Sequence, residues 1–161
     1  SCSASKKTLT TVPVVDYQKY LGKWYEIARL PNNFERDMYC VTAEYSMKNK
    51  KRIRVFNSGY KKGKAGKRKS STGIARVPNA LKPGELQVSF FRPFWGDYYI
   101  IYLDEYNYQY ALVGSPSRAY LWILSRTPVM EEGTYKILLQ QAERKGFDTS
   151  KLIKVKQDCN N

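Results

Sequence analysis

Apolar and polar residues alternate along much of this chain in short runs, which is the pattern of strands that bury one face. In 52–60, the clearest run, Ile53, Val55 and Asn57 share one face and Arg52 and Arg54 lie on the other. Turns rich in Asn, Gly, Pro and Lys separate the runs. The runs are 23–30, 39–47, 52–60, 71–77, 85–91, 98–103, 108–114 and 120–125. Eight short strands in sequence predict an all-β fold, an antiparallel up-and-down barrel that can hold one small ligand.

One segment near the C-terminus has helical spacing instead. Thr127 is the predicted N-cap, Pro128 the first helical residue, and Gly146 the end of the helix. The apolar stripe of this helix consists of Tyr135, Leu138, Leu139 and Ala142. We expect the stripe to pack on the outside of the barrel.

Both ends of the chain have weaker features. Residues 1–13 are predicted to form an N-terminal tether, and 14–161 a single barrel domain. Asp16 is a plausible cap for a short helical turn over 17–21. A short run over 152–155 is expected to pair with an edge strand of the barrel.

Composition narrows the possible functions. The 161 residues include no histidine. This removes the commonest general base and the commonest metal ligand, and with them a Ser-His-Asp triad, a Cys-His dyad and a His-based zinc site. We therefore expect no catalytic residue, no metal site and no cofactor. No apolar stretch is long enough for a membrane-spanning helix.

The positive charge is concentrated in one part of the sequence. The net charge is +14, and no acidic residue lies between Tyr45 and Gly84. The basic residues of this segment are Lys48, Lys50, Lys51, Arg52, Arg54, Lys61, Lys62, Lys64, Lys67, Arg68 and Lys69. The segment 48–69 is either a solvated hairpin or a surface for an anionic membrane or lipid head group. Nucleic-acid binding is a weaker alternative, because most aromatic residues alternate into the barrel wall.

Three cysteines, Cys2, Cys40 and Cys159, leave an odd thiol in an exported protein. We interpret Cys40 and Cys159 as a disulfide that ties the C-terminal tail to the barrel; the alternative is three reduced thiols. Cys2, followed by a polar stretch, looks like the acylated start of a bacterial lipoprotein, and the alternative is an incidental free thiol.

Four motifs occur in an order that resembles the lipocalin family. Gly22 and Trp24 open the first strand, an acidic turn at 103–106 links two aromatic strands, and Arg126 ends the eighth strand before the single helix. The strings at 20–27 and 122–128 are similar to those of the bacterial lipocalin and apolipoprotein D branch. Arg126 is expected to cover the face of Trp24 as a structural cation–π pair.

The resemblance also indicates where a ligand would lie. It implies that Trp122, Val55 and Asn57 face the pocket. Alternation adds further wall residues, and Asn57 and the tyrosine hydroxyls are suited to orient a polar head group. These added residues are Tyr120, Tyr45, Tyr98, Leu112 and Glu26.

The function that the resemblance implies is non-catalytic binding, transport or storage of a small hydrophobic ligand such as a fatty acid or lysophospholipid. It implies a bacterial cell-envelope location, either secreted or on the periplasmic side of the outer membrane with Cys2 as a lipid anchor. Two alternatives stay open. One is binding of anionic membranes or polyanions through the Lys-rich loops. The other is a lipid-modifying enzyme that uses Cys40, although no histidine is present to activate this thiol.

Overall fold

The computed structural model describes residues 7–62 and 66–159, which form one barrel and the helix packed beside it. The barrel strands are β1 Gly22–Arg29, β2 Met38–Asn49, β3 Arg52–Lys61, β4 Lys67–Arg76, β5 Glu85–Phe91, β6 Phe94–Leu103, β7 Tyr110–Gly114 and β8 Leu121–Ser125. Outside them lie helix α1 Tyr17–Tyr20, helix α2 Glu132–Arg144, a 3₁₀ turn at Thr149–Lys151 and the short strand β9 Ile153–Lys154.

The eight long strands close into a barrel in sequence order. Each strand pairs antiparallel with the next, and β1 pairs with both β2 and β8, so that no barrel edge remains unpaired along this seam. Strand β9 adds to the outside by pairing with the end of β1. The predicted up-and-down barrel with one C-terminal helix is confirmed. Among the described residues, no helix is long and apolar enough to cross a membrane.

Several element boundaries differ from prediction, and the largest differences are the starts of helix α2 and of strands β4 and β6. Helix α2 begins at Glu132 rather than Pro128, because the Thr127 hydroxyl donates to the carbonyl of Val129 and does not cap a helix. Its predicted end is confirmed, since Gly146 has a positive φ of 92°. Strand β4 begins at Lys67, so the basic residues that follow pair with β3 and are not part of a loop.

Consecutive connections lie at opposite ends of an up-and-down barrel. The end that carries the β1–β2, β3–β4, β5–β6 and β7–β8 connections is called the open end here, and the opposite end, which α1 covers, the closed end. The closed end is sealed around Trp24, which is fully buried and donates from its indole N–H to the carbonyl of Tyr20 at 2.9 Å.

Arg126 completes this seal. Its guanidinium lies 3.8 Å from the centre of the Trp24 ring, which confirms the predicted cation–π pair. It also donates hydrogen bonds to four backbone carbonyl groups, those of Lys19, Tyr20, Lys23 and Tyr108. One side chain therefore links α1, β1 and the β6–β7 connection at the closed end.

Helix α2 packs on the outer face of the barrel, as its apolar stripe predicts. Leu138 and Ala142 are fully buried in a cluster, here called the outer cluster, with outward-facing residues of β6, β7 and β8. Leu9 also belongs to this cluster and is 4% exposed. The described part of the predicted tether, residues 7–13, therefore packs against the barrel. Val12 adds a backbone hydrogen bond to Ile100.

The C-terminal tail is bound to the barrel covalently and by hydrogen bonds. Cys40 and Cys159 form a disulfide with Cα atoms 6.1 Å apart, which confirms the predicted pairing. The amide of Gln157 donates to the carbonyls of Glu26 and Val41, both at 2.8 Å. The tail thus crosses the β1–β2 seam and holds it. Cys2 lies outside the described residues.

We predict that Arg126→Met lowers the free energy of unfolding by about 3 kcal/mol, because it removes the cation–π contact and the donors to four backbone carbonyls. Urea denaturation followed by tryptophan fluorescence measures the change. Arg54→Met, an exposed substitution on β3, is the matched control and should change stability by less than about 0.5 kcal/mol. Equal stability of the two variants would contradict the proposed role of Arg126.

Candidate functional site

The barrel interior is lined by one continuous cluster of side chains, here called the inner cluster. It contains Trp24, Tyr45, Val55 and Leu124 among others, with Trp122 and Tyr98 packed against it. The inner cluster is separate from the outer cluster because successive residues of each strand face opposite sides of the barrel wall.

Three tyrosine hydroxyls meet in the lower interior, near the closed end. Tyr98 is the centre of the group and lies 2.6 Å from the Tyr20 hydroxyl and 2.7 Å from that of Tyr45. Burial raises the pKa of all three hydroxyls, so they keep their protons and act as neutral donors and acceptors. The Tyr98 hydroxyl, which was predicted to be suited to orient a head group, bonds to the other two tyrosines in this structure.

The lower interior is almost filled by side chains. A cavity of about 10 Å³ remains there, which is room for about one water molecule. Its lining residues are Tyr17, Tyr20, Tyr45, Ile53, Ala75, Leu86, Val88 and Tyr98. A ligand larger than water therefore fits in this half only if side chains move.

The upper interior, near the open end, is accessible. On β4, every residue from Lys67 to Thr72 is exposed, on both faces of the strand, so solvent reaches the inner face there. Asn57 pairs with Ser71 across β3 and β4 and is half-buried. The ring of Phe90 packs over Gly73, where an added Cβ would lie 2.7 Å from the ring. This half of the barrel is the candidate ligand cup.

Aromatic rings line one side of the cup from the rim inward. Tyr120 stacks on Trp122 with ring centres 5.8 Å apart, and Phe34 stacks on Tyr120 at 6.1 Å. Phe34 lies in the β1–β2 connection at the open end, and Trp122 faces the interior opposite Val113. The three rings form an apolar wall next to which an acyl chain or a flat ring would pack.

A buried polar cluster lies beside this wall. Arg29 and Glu26 are each 4% exposed, and their side chains approach to 3.3 Å. Glu35, from the β1–β2 connection, lies 3.7 Å from Arg29 and accepts a hydrogen bond from the Trp122 indole N–H at 2.8 Å. The cluster thus contains two carboxyl groups and one guanidinium in a largely apolar interior.

A β-bulge in β1 brings Arg29 into this cluster. Glu26 pairs with Leu124 and faces inward, but the register shifts before Ala28, which packs in the outer cluster. Arg29 therefore faces inward opposite Trp122, although it lies an odd number of residues from Glu26. Simple alternation predicts that Arg29 points outward, and this is why the sequence analysis missed it.

Burial and the nearby Glu35 raise the pKa of Glu26 well above its ordinary value of 4.5, while Arg29 acts in the opposite direction. Glu26 therefore keeps its proton far more readily than an exposed glutamate. With Glu26 neutral, the charge of Arg29 is balanced by Glu35 alone.

The rim of the cup is basic. An open groove of about 260 Å³ lies at the open end and is lined by Asn33, Phe34, Arg36, Met38, Lys61 and Lys69. Lys61 and Lys69 belong to β3 and β4, whose pairing aligns Lys61 with Lys67 and Gly59 with Lys69. The groove combines apolar and cationic groups, as an anionic amphiphile requires.

The basic segment 48–69 is divided between both ends of the barrel. Lys48, Lys50 and Lys51 lie at the β2–β3 turn of the closed end, whereas Lys61 lies at the open end. The ten residues of β3 separate them by about 33 Å. The prediction of one basic surface is therefore corrected to two, of which one borders the cup. Lys64 lies outside the described residues.

The structure brings together most of the predicted ligand-binding residues. Trp122, Tyr120, Asn57, Tyr45, Val55, Tyr98 and Glu26 all lie in or beside the interior. Leu112 does not: it pairs with Ile123 and packs in the outer cluster, so its expected place in the cavity wall is corrected. Arg29 and Glu35 were missed, the first because of the bulge and the second because it lies in a connection without periodic pattern.

The two cysteines within the described residues are not free for chemistry. Cys40 and Cys159 lie beside Asp158, a grouping that resembles a metal site. The disulfide occupies both sulfurs, so neither is available as a thiolate ligand or a nucleophile.

Comparison with known proteins is consistent with this geometry. Residues 15–157 match a family model described as a lipocalin-like domain. The chain is 47% identical to the outer membrane lipoprotein Blc of Vibrio cholerae, over 90% of this chain and 85% of that protein. It is 45% identical to Blc of Escherichia coli K12, over 92% and 83%, and 32% identical to mouse apolipoprotein D, over 88% and 77%.

Solved structures have the same fold. Insecticyanin from the tobacco hornworm Manduca sexta superposes with a TM-score of 0.75 at 25% identity, covering 98% of this chain and 87% of that one. Apocrustacyanin C2 superposes with a TM-score of 0.71 at 21% identity, covering 88% of this chain and 79% of that one.

We predict that Glu26→Gln stabilises the protein increasingly as the pH rises. A carboxyl with a raised folded-state pKa binds its proton more tightly in the folded state, so the contribution of Glu26 to wild-type stability falls as the pH rises above the ordinary pKa of 4.5. Gln cannot ionise and avoids this loss. Thermal unfolding of both proteins between about pH 4.5 and 7 measures the difference.

Glu105→Gln, in an exposed turn, is the control and should follow the wild type over the same pH range. A stability difference between Glu26→Gln and wild type that is the same at both ends of the range would contradict the raised pKa.

Proposed function

The chain belongs to the lipocalin family, whose members bind small hydrophobic ligands, and from this premise we propose that it binds a long-chain lipid, a fatty acid or a lysophospholipid, in the upper half of its barrel. The observation that carries the proposal is the aromatic wall of Phe34, Tyr120 and Trp122, which leads from the rim into the interior. The role is non-catalytic: the protein holds and releases its ligand.

The energetics favour an acyl chain. Burial of one methylene contributes about 0.8 kcal/mol, so ten buried methylenes contribute about 8 kcal/mol before ordering costs. Micromolar affinity corresponds to about the same value. The apolar wall therefore supplies most of the required free energy, and polar groups at the mouth are needed only for orientation and selectivity.

The names of the relatives support a proposal for the cellular role. Two of them are described as outer membrane lipoproteins, and we propose a cell-envelope location for this protein, with Cys2 as its lipid anchor. A barrel tethered beside a membrane would collect its ligand there and transport or store it.

A second candidate function is docking of the open end on an anionic membrane. Phe91 and Phe94, at the β5–β6 turn, are 80% and 76% exposed, and Phe34 is 78% exposed at the same end. Phe34 lines the groove at the rim together with Lys61 and Lys69. Exposed aromatic rings next to basic residues suit the interface of an anionic bilayer, where each nearby cation contributes about 1 kcal/mol.

We predict that the protein binds a fluorescent fatty acid with one-to-one saturation, and that Trp122→Ala weakens this binding about tenfold or more, because the ring buries apolar surface of the ligand. Fluorescence titration measures both affinities. Tyr106→Ala, which removes a ring that is 89% exposed at the closed end, is the control and should bind as the wild type does. Absence of saturable binding by the wild type would exclude the proposed function.

We further predict that Phe91→Ser combined with Phe94→Ser weakens association with phosphatidylglycerol vesicles about tenfold or more. Vesicle co-sedimentation at increasing salt measures this, and the remaining binding should fall as salt screens the basic rim. The control replaces Leu81 and Tyr106, which are exposed at the closed end, by Ser. If both double variants lose binding equally, the open end is not the docking surface.

A further inference from the structure

The interior of this barrel contains a preformed anion site. Arg29 is 4% exposed, and its guanidinium donates to Glu26, at 3.3 Å, and to the carbonyls of Glu35 and Met38. Its Nε–H has no hydrogen-bond partner among the described residues. The indole N–H of Trp122, on the neighbouring strand, points to the same place. A buried cation and a second donor at the top of an apolar cup are expensive unless an anion balances them.

In this structure the balancing anion is the chain's own Glu35. Its carboxylate accepts from the Trp122 indole at 2.8 Å and from the Asn32 amide at 3.1 Å, and it lies 3.7 Å from Arg29. The second carboxylate oxygen, Oε2, is buried without a hydrogen bond within the described residues. This side chain reaches inward from the β1–β2 connection and lies at the top of the cup.

We propose that Arg29 and the Trp122 indole bind the terminal carboxylate of an amphiphilic ligand, and that Glu35 is an intramolecular competitor which the ligand displaces. The inference rests on the proposed lipid-binding function and specifies its ligand class: a long-chain acid rather than a neutral lipid. The acyl chain would lie along the aromatic wall, and its carboxylate would take the position that the Glu35 carboxylate holds.

Charge balance supports an exchange of one carboxylate for another. With Glu26 protonated, Arg29 and Glu35 together carry no net charge. A ligand carboxylate added beside them would create an unbalanced negative charge in a poorly solvated interior, which is unfavourable. Displacement of Glu35 by a ligand carboxylate keeps the interior neutral. A neutral lipid carries no carboxylate and therefore cannot replace the charge of Glu35.

The basic rim of the cup offers the displaced Glu35 side chain a favourable position. Glu35 lies between Phe34 and Arg36, both of which line the open groove at the rim together with Lys61 and Lys69. When the carboxylate leaves the interior, it enters a basic, solvated surface. The cost of expelling Glu35 is therefore much smaller than the cost of leaving it unpaired in the interior.

Two probes of equal chain length test the inference: palmitic acid and hexadecanol, with their dissociation constants measured by calorimetry. The measured quantity is the preference for the acid over the alcohol. We expect Glu35→Gln to raise this preference about tenfold, because the competitor loses its charge while its side-chain length is kept. Glu44→Gln removes an exposed carboxylate from β2 and is the matched control; it should leave the preference unchanged.

Trp122→Phe in the Glu35→Gln background supplies the second arm. It keeps an aromatic ring in the wall but removes the N–H donor, so the preference for the acid should fall again while hexadecanol affinity changes little. Circular dichroism verifies that each variant is folded.

The outcomes separate the two proposals. If Glu35→Gln changes acid and alcohol affinities by the same factor, Glu35 only closes the mouth, and the inference is overturned. If neither probe binds to the wild type or to any variant, the proposed lipid-binding function itself fails.

Discussion

The contact on which the rest of the barrel depends is the stacking of Arg126 on Trp24. It ties the first strand, the last strand and the short helix α1 into one closed end, and it satisfies four backbone carbonyls that would otherwise be left where the barrel seals. Because this end is sealed and the lower interior is nearly filled, a ligand can approach only from the opposite end. This one contact therefore determines which end of the barrel gives access to the site.

The two ends of the barrel differ in chemistry as well as in access. The closed end is buried and held by hydrogen bonds, whereas the open end has exposed phenylalanines, a basic rim and a connection that sends Glu35 into the cup. The disulfide from Cys40 and the tail at Gln157 hold the β1–β2 seam from outside.

In the proposed site, buried charge is the source of selectivity. An apolar cup alone would take many lipophilic molecules with similar affinity, because apolar contacts do not distinguish head groups. Arg29 and the indole of Trp122 introduce a requirement for an anion, and Glu35 satisfies it in this structure. A cup of this kind favours a ligand that brings its own negative charge, which connects the polar cluster to the proposed lipid-binding role.

The sequence by itself determined the barrel, its external helix and the Trp24–Arg126 pair, because these depend on strand alternation and on short motifs with fixed positions. It favoured the Cys40–Cys159 bridge but left reduced thiols as an alternative, and the structure decided between them. Strand alternation also placed Tyr45 in the interior, and the resemblance to lipocalins placed Val55 and Trp122 there.

Only the tertiary structure decided the positions of the remaining site residues. The reason is that strand pairing and barrel closure fix which way a side chain faces where the local sequence pattern does not. Strand β7 has apolar residues on both faces, so alternation could not show that Leu112 faces helix α2. The bulge after Glu26 turned Arg29 inward, and the length of β3 divided the basic segment between the two ends. Glu35 lies in an aperiodic connection, and only the closure of the barrel brings it to Trp122, 87 residues away in sequence.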